Sequence, residues 1–232
     1  AEQGSLSLGG MCTHFAVSDS PKAEDEQYTK AQFSRFCDAI QAVKAAGIQP
    51  GICHCANSAA TLEKPEFHLD MVRSGITAYG YYPDGKPRSY YEARGYDIDL
   101  RPVMTLATQL VAMRALKKGM SVSYGHTWTA PADTTIGVLP IGYADGLLRR
   151  FAPYIQAAIG KNAYPVRGRI CMDQCMIDLG AHTQEKRWSE VVLFGDTQQG
   201  AAISAQELAD ATGTISYEVT SAITKRVPRV YE

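Results

Sequence analysis

Met11 to Ala60 reads MCTHFAVSDSPKAEDEQYTKAQFSRFCDAIQAVKAAGIQPGICHCANSAA, and the parsing of this stretch decides the fold class. Met11–Ala16 is a short apolar-rich strand, and the acidic, proline-containing run from Asp19 to Asp25 turns the chain into a helix. From about Glu24 to Ala46, Phe33, Phe36, Cys37, Ile40 and Val43 recur at helical spacing, and Gly47 supplies the stop. A second strand around Gly51–Cys55 leads into Asn57 and Ser58 and a further helix, broken near Pro65. A third strand runs from about Met71 to Tyr79. Strand–helix–strand alternation argues for a parallel sheet, and three such units without closure form part of a (β/α) barrel. Chemistry in such barrels sits at the C-terminal ends of strands, where His14, Asn57, Ser58, Arg73 and Gly75 fall.

From about Tyr82 to Arg101 the chain is rich in proline, glycine and tyrosine, with turn signals at Pro83-Asp84-Gly85. Beyond it helical periodicity gives way to alternation. Val103 to Ala112 reads as one long strand, and Thr134–Ile141, Tyr164–Arg169, Met176–Leu179 and Glu190–Phe194 as further ones. Ser204 followed by Glu207 is the signature of a capping box opening a short helix that Gly213 stops. A last helix spans Ile215–Thr224. The expected fold class is α/β plus β: a partial (β/α)8 TIM-type barrel over residues 1–98, followed by a mostly β C-terminal domain over residues 99–232.

The 232 residues permit one large or two modest domains, and 45% of them are apolar, enough for a substantial core. A formal net charge of -1 argues against a nucleic-acid or membrane-surface partner. With no signal peptide and no bilayer-length apolar run, the expected location is cytoplasmic. Six cysteines raise the question of metal. Cys53 and Cys55 would share one face of a strand, as would Cys171 and Cys175, but neither pair has the usual two-residue spacer. Packing is the better reading.

Ser121 to Arg150, SVSYGHTWTAPADTTIGVLPIGYADGLLRR, holds Tyr124 before Gly125 and Tyr143 after Gly142, with Arg149, Arg150, Arg167 and Arg169 following. A phenol acts as a general base only if its pKa falls well below about 10, and nearby cations favour the phenolate. Guanidiniums also match carboxylate geometry. The combination suits acid–base chemistry on a small anion, although strand filling with solvated arginines has the same periodicity.

Several segments resemble, in order, the signature segments of alanine racemases, a family that uses pyridoxal 5'-phosphate (PLP). They are THFAVSD, HCANSA, RSGITAYG, SVSYGHTWTA, LPIGYADGLLRR, GRICMDQCMIDL, GTISYEV and KRVPRVY, running from about Met11 to Tyr231. The resemblance implies PLP-dependent interconversion of L- and D-alanine by two bases on opposite faces, supplying D-alanine for peptidoglycan. Tyr124 matches the catalytic tyrosine, which in the family reaches into the neighbouring subunit's site, so a homodimer with shared active sites is implied. Ser58, Gly75, Ile76 and Tyr217 match the contacts to the PLP phosphate. His14 and His54 match positions near the cofactor ring, His14 orienting Arg73, and Asn57 joins them on the cofactor side.

Arg73 matches the arginine that faces the pyridine nitrogen. A guanidinium can only donate, so it keeps that nitrogen unprotonated and weakens the ring as an electron sink, suppressing side reactions such as transamination. Without the resemblance, Arg73 reads as a rim ion pair and Ser58 as a plain N-cap. Tyr143, Cys171 and Met172 match the substrate pocket, and Arg149 and Arg169 an access corridor. Asp173 is expected only to support its loop. Ser74 stands where the family usually has proline, a change expected to touch no side-chain chemistry.

The family's lysine that forms the Schiff base with PLP, in a motif like VVKANAYG, has no match in these residues, nor has its N-terminal arginine. The expectation is therefore that a missing N-terminal segment completes the enzyme and that this chain alone is inactive. Racemisation of serine or another small amino acid is the alternative within the class, disfavoured by crowding from Tyr217. A non-catalytic PLP-binding or dimerisation module is the alternative outside it.

Overall fold

Lys22 precedes the longest element of the protein, a 23-residue helix α1 (Ala23–Ala45) that carries Glu24, Asp25 and Glu26 in its first turn and Lys44 in its last. Those charges complement the helix dipole at both ends. At its C-terminus Gly47 takes φ 77°, and the Gly47 and Ile48 amides return to the Lys44 and Val43 carbonyls at 2.9 and 3.2 Å. This is the left-handed cap that glycine permits without a Cβ penalty. The computed structural model describes residues 6–231, which divide into two units between Arg101 and Pro102.

In the first unit α1 links two parallel strands, β1 (Gly10–Cys12) and β2 (Ile52–His54), with Gly10 opposite Ile52 and Cys12 opposite His54. Parallel pairing requires such a crossover. Phe36 and Ile40 of α1 pack on Phe15, Cys53, Cys55, Ala56, Ala60 and Phe67, with the Phe33 ring tilted against that of Phe67, centroids 4.5 Å apart. Helix α2 (Ser58–Glu63) follows β2, and a short helix α3 (Arg88–Glu92) lies in the proline- and tyrosine-rich connection. The turn at Pro83-Asp84-Gly85 forms, with Gly85 at φ 74° and the Lys86 amide 3.1 Å from the Pro83 carbonyl.

Two expected strands differ. The first ends at Cys12, because beyond Thr13 the Gln32 side chain takes the backbone instead, accepting from the Ala16 amide at 3.3 Å and donating to the His14 carbonyl at 2.8 Å. The third reduces to one parallel bridge between His54 and Met71, followed by a 3-10 turn over Ile76–Tyr79. The Gly75 amide there donates to a side chain rather than to a neighbouring strand, and Gly80 at φ 79° closes the turn. The described residues thus contain no closed barrel: their parallel sheet is the β1–β2 pair.

The second unit is β-rich. Its strands are β3 (Leu106–Gln109), β4 (Ala112–Leu116), β5 (Ser121–Val122), β6 (Trp128–Thr129), β7 (Thr134–Leu139), β8 (Gln156–Ile159), β9 (Asn162–Pro165), β10 (Cys175–Gly180) and β11 (Glu190–Phe194). They form antiparallel sheets in the orders β10-β7-β4 and β3-β11-β8-β9, plus the hairpin β5-β6. The long strand expected over Val103–Ala112 is two strands in different sheets. Leu110 is fully buried at the break, its amide bonded to the Ser189 carbonyl, while the next amide, Val111, bonds the Val138 carbonyl. Neighbouring residues therefore serve different partners. The strand expected over Tyr164–Arg169 likewise ends at Pro165, with Val166 making a lone bridge to Ile177.

Helix α4 (Ala205–Thr212) opens with the Ser204–Glu207 capping box and ends at Gly213 with φ 69°. The final helix, α5, is shorter than expected at Ser216–Ser221. Among the described residues no helix is long and apolar enough to cross a membrane.

Candidate active site

In the first unit the chemistry converges on Arg73. Its Nη1 lies 2.6 Å from His54 Nδ1, and its Nη2 lies 2.9 Å from His14 Nδ1 and 3.1 Å from the Thr13 carbonyl. A guanidinium has no acceptor, so both imidazoles present an unprotonated Nδ1 and carry their proton on Nε2. The Arg73 amide bonds the Ala56 carbonyl at 2.9 Å, anchoring the residue behind β2. Arg73 is thus no rim ion pair. Its side-chain partners are two neutral rings and a carbonyl, and among the described residues no carboxylate neutralises its charge.

Beside it, Asn57 rather than Ser58 is the N-cap of α2, its Oδ1 accepting from the Ala60 amide at 3.2 Å and from the Ser18 hydroxyl at 2.9 Å. Ser58 is freed from capping. Its buried hydroxyl accepts from the Gly75 amide at 2.9 Å and from the Thr77 hydroxyl at 3.3 Å. Ser74 also takes part, its hydroxyl 2.6 Å from that of Thr77. The expectation that Ser74 touches no side-chain chemistry is therefore corrected. A Cβ at Gly75 would sit 3.4 Å from Ser58 Oγ, so the glycine leaves the face above this hydroxyl uncovered by a side chain. Ile76, next in the chain, is buried.

Three of the six cysteines, Cys53, Cys55 and Cys175, are buried, while Cys12 is exposed and Cys37 and Cys171 lie between. Cys53 and Cys55 are buried in the α1–β2 core, and burial pushes the Cys55 thiol up to about 11, with Cys37 adding to the shift and Arg73 opposing it. Burial likewise pushes Cys175 up to about 12. Cys171 lies in the loop before β10 and does not share a strand face with Cys175.

In the second unit Tyr124 stands at the tip of the β5–β6 hairpin and is 73% exposed. The guanidinium of Arg169 packs so closely on this tip that a Cβ at Gly125 would lie 3.2 Å from it. Tyr143 is joined to the Cys171–Met172 loop by backbone bonds of 3.0 Å, from its own amide to the Cys171 carbonyl and from the Ala144 amide to the Met172 carbonyl. Gly142 makes this approach possible, because a Cβ there would be 2.2 Å from the Cys171 oxygen.

Asp145 and Arg226 hold the arrangement and were not singled out from sequence. The Asp145 carboxylate accepts from the Gly142 amide at 2.9 Å, and Arg226 bridges it at 3.3 Å to Asp173 at 2.7 Å. The only local hint was the three-residue spacing from Gly142 to Asp145. Asp173 supports its loop through that bridge. Arg149 is exposed on a 3-10 turn, Arg150 pairs with Glu218, and Tyr217 is half-exposed on α5.

The first unit presents a guanidinium held by two imidazoles, and the second an exposed phenol at a hairpin tip packed against the Arg169 guanidinium. Residues 103–231 match the family profile described as alanine racemase, C-terminal domain, and residues 1–83 the one described as alanine racemase, N-terminal domain. The chain belongs to the alanine racemase family, a family of isomerases.

It is 49% identical over 228 residues to the alanine racemase of Treponema denticola, covering 97% of this chain and 58% of that protein. The solved alanine racemase of Clostridium difficile 630 in complex with cycloserine superposes with a TM-score of 0.85 at 35% identity, over 97% of this chain and 56% of that one. The alanine racemase of Bacillus anthracis with bound L-Ala-P gives a TM-score of 0.85 at 33% identity, over 97% and 55%. The chain therefore spans somewhat more than half the length of the relatives it matches.

Proposed function

We propose that this chain carries the PLP-binding and tyrosine-bearing portions of an alanine racemase, with residues 1–98 contributing to a (β/α) barrel and residues 99–232 forming the domain that bears Tyr124. The observation that carries the reading is Arg73, braced by two neutral imidazoles and paired with no carboxylate among the described residues. The residues fit the cofactor. Arg73 would donate to the pyridine nitrogen, and its fixed protonation would keep that nitrogen bare. The Ser58 hydroxyl and the open face at Gly75 suit a phosphate, with Ile76 and Tyr217 as further contacts. When bound, PLP would supply the electron sink for the electron pair left at the substrate Cα.

Tyr124 would hold and move the proton on one face of the substrate. Inversion needs a second base on the opposite face, since one base would return the proton where it came from. None of the site residues named above is a lysine, so that base comes from beyond them. Tyr143, Cys171 and Met172 would shape the pocket for a methyl side chain, and Arg149 and Arg169 would line its approach. The exposed position of Tyr124 suits a phenol that serves the neighbouring subunit of a homodimer. D-alanine for peptidoglycan is the product this reading implies.

Equilibrium dialysis of the 232-residue chain against PLP and against pyridoxal tests it, together with racemisation assays in which the chain, with Tyr124 intact or as Tyr124→Phe, is completed by the lysine-bearing N-terminal segment of a full-length alanine racemase. The expected result is tighter binding of PLP than of pyridoxal, weakened by Ser58→Ala, and loss of racemisation in Tyr124→Phe. Equal binding of both compounds, or racemisation indifferent to Tyr124→Phe, would overturn it.

A further inference from the structure

The five-residue loop that joins β5 to β6 carries Tyr124, and its entry residue is out of character. Ser123 has φ 65° and ψ 175°, a region that is essentially reserved for glycine. Around the same tip positive φ recurs at Gly125 (φ 73°) and Gly168 (φ 71°), where glycine carries it, and at His126 (φ 48°), near the left-handed helical region that other residues also visit, whereas Ser123 pairs its positive φ with an extended ψ. A serine kept in such a conformation needs a compensating contact, and the Ser123 hydroxyl makes one. It donates to the Arg169 carbonyl at 2.6 Å and lies 3.6 Å from Cys171 Sγ. Gly168 accommodates the serine: a Cβ on Gly168 would fall 2.7 Å from the Ser123 Cβ.

We propose that Ser123 is a positioning residue for Tyr124, its hydroxyl locking an otherwise unfavourable backbone turn so that the phenol is held in register with the Arg169–Met172 loop. The proposal rests on the functional reading of Tyr124 given above. Its signature is a split between stability and order. Glycine at 123 removes the conformational cost along with the tether, so the fold should be at least as stable while the tip loosens. Alanine keeps the cost and loses the tether, so both should suffer.

The test is 15N relaxation at the Tyr124 amide of the full chain, with urea unfolding of the same samples. In the unaltered chain the order parameter should be about 0.85, falling below about 0.6 in Ser123→Gly. The Ser123→Gly unfolding midpoint should be unchanged or raised, and that of Ser123→Ala lowered. In the racemisation assay Ser123→Gly should lower kcat about tenfold with KM little altered, as expected for loss of about 1.4 kcal/mol made only in the transition state. An unchanged Tyr124 order parameter in Ser123→Gly would overturn the proposal, even if Ser123→Ala fails to fold. Failure of the functional reading looks different: the order parameter still responds to position 123, but Tyr124→Phe leaves racemisation intact.

Discussion

Arg73 Nη1 sits 2.6 Å from His54 Nδ1, and this contact holds a positive charge in place without neutralising it. A carboxylate in the same position would have cancelled the charge, whereas a neutral imidazole nitrogen orients the fork and leaves its field intact. His14 and the Thr13 carbonyl repeat the arrangement on Nη2.

Arg73→Lys should therefore be far from conservative. One ammonium cannot reach His54, His14 and the Thr13 carbonyl in a planar fork. PLP affinity should fall at least about tenfold, equivalent to one lost charge-assisted bond of about 1.4 kcal/mol. Equilibrium dialysis measures it, and an unchanged dissociation constant would remove Arg73 from the site.

Glu63 and Lys86 form an ion pair whose side chains are only 5% and 6% exposed, and the Lys86 ammonium also donates to the Ser18 carbonyl at 2.7 Å. Glu63→Ala strands a buried ammonium and should cost about 3–5 kcal/mol in urea unfolding. Replacing both partners with apolar residues, Glu63→Leu with Lys86→Met, should recover most of that loss. A double variant as unstable as the single one would mean that the pair itself stabilises the fold.

Gly142→Ala places a methyl 2.2 Å from the Cys171 carbonyl oxygen, a backbone atom that cannot step aside. The Tyr143 turn and the Cys171–Met172 loop should separate, with a loss of about 1–3 kcal/mol. Thermal unfolding of this variant should start below that of the unaltered chain. Identical melting would show that the close approach is relaxed in solution.

Glu26 accepts from Lys64 and Lys30, which hold its carboxyl down at about 2 rather than 4.5. The folded state thus favours the charged form. The associated stability is present above pH 4.5 and is lost as pH falls toward about 2. With 46% of the side chain exposed, solvent screening keeps the effect below about 1 kcal/mol. Glu26→Gln should flatten the acid limb of a pH–stability curve in that window alone; a change confined to neutral pH would contradict the assignment.

Burial raises the Cys55 thiol to about 11 and the Cys175 thiol to about 12, so neither supplies thiolate at neutral pH. Cys12 is exposed. Iodoacetamide at pH 8 should label Cys12 while Cys55 and Cys175 stay protected until denaturant is added. Early labelling of Cys175 would show that the β10 core opens locally.

The sequence by itself determined those features whose physics is closed within a few residues. The span of α1 and its Gly47 stop, the capping box at Ser204 and Glu207, and the turn at Pro83-Asp84-Gly85 all satisfy backbone groups locally, so residue types and spacing suffice. The ordered motifs also carried the family. Tertiary structure alone decided where distant groups compete for the same backbone. Ser58 takes the Gly75 amide and turns an expected strand into a 3-10 turn, and Leu110 and Val111 divide one alternating run between two sheets. The bracing of Arg73 by His14 and His54, the Arg226 bridge and the Ser123 tether likewise join residues dozens of positions apart. Periodicity cannot register such pairings, because it records which side a residue faces and not which partner waits there.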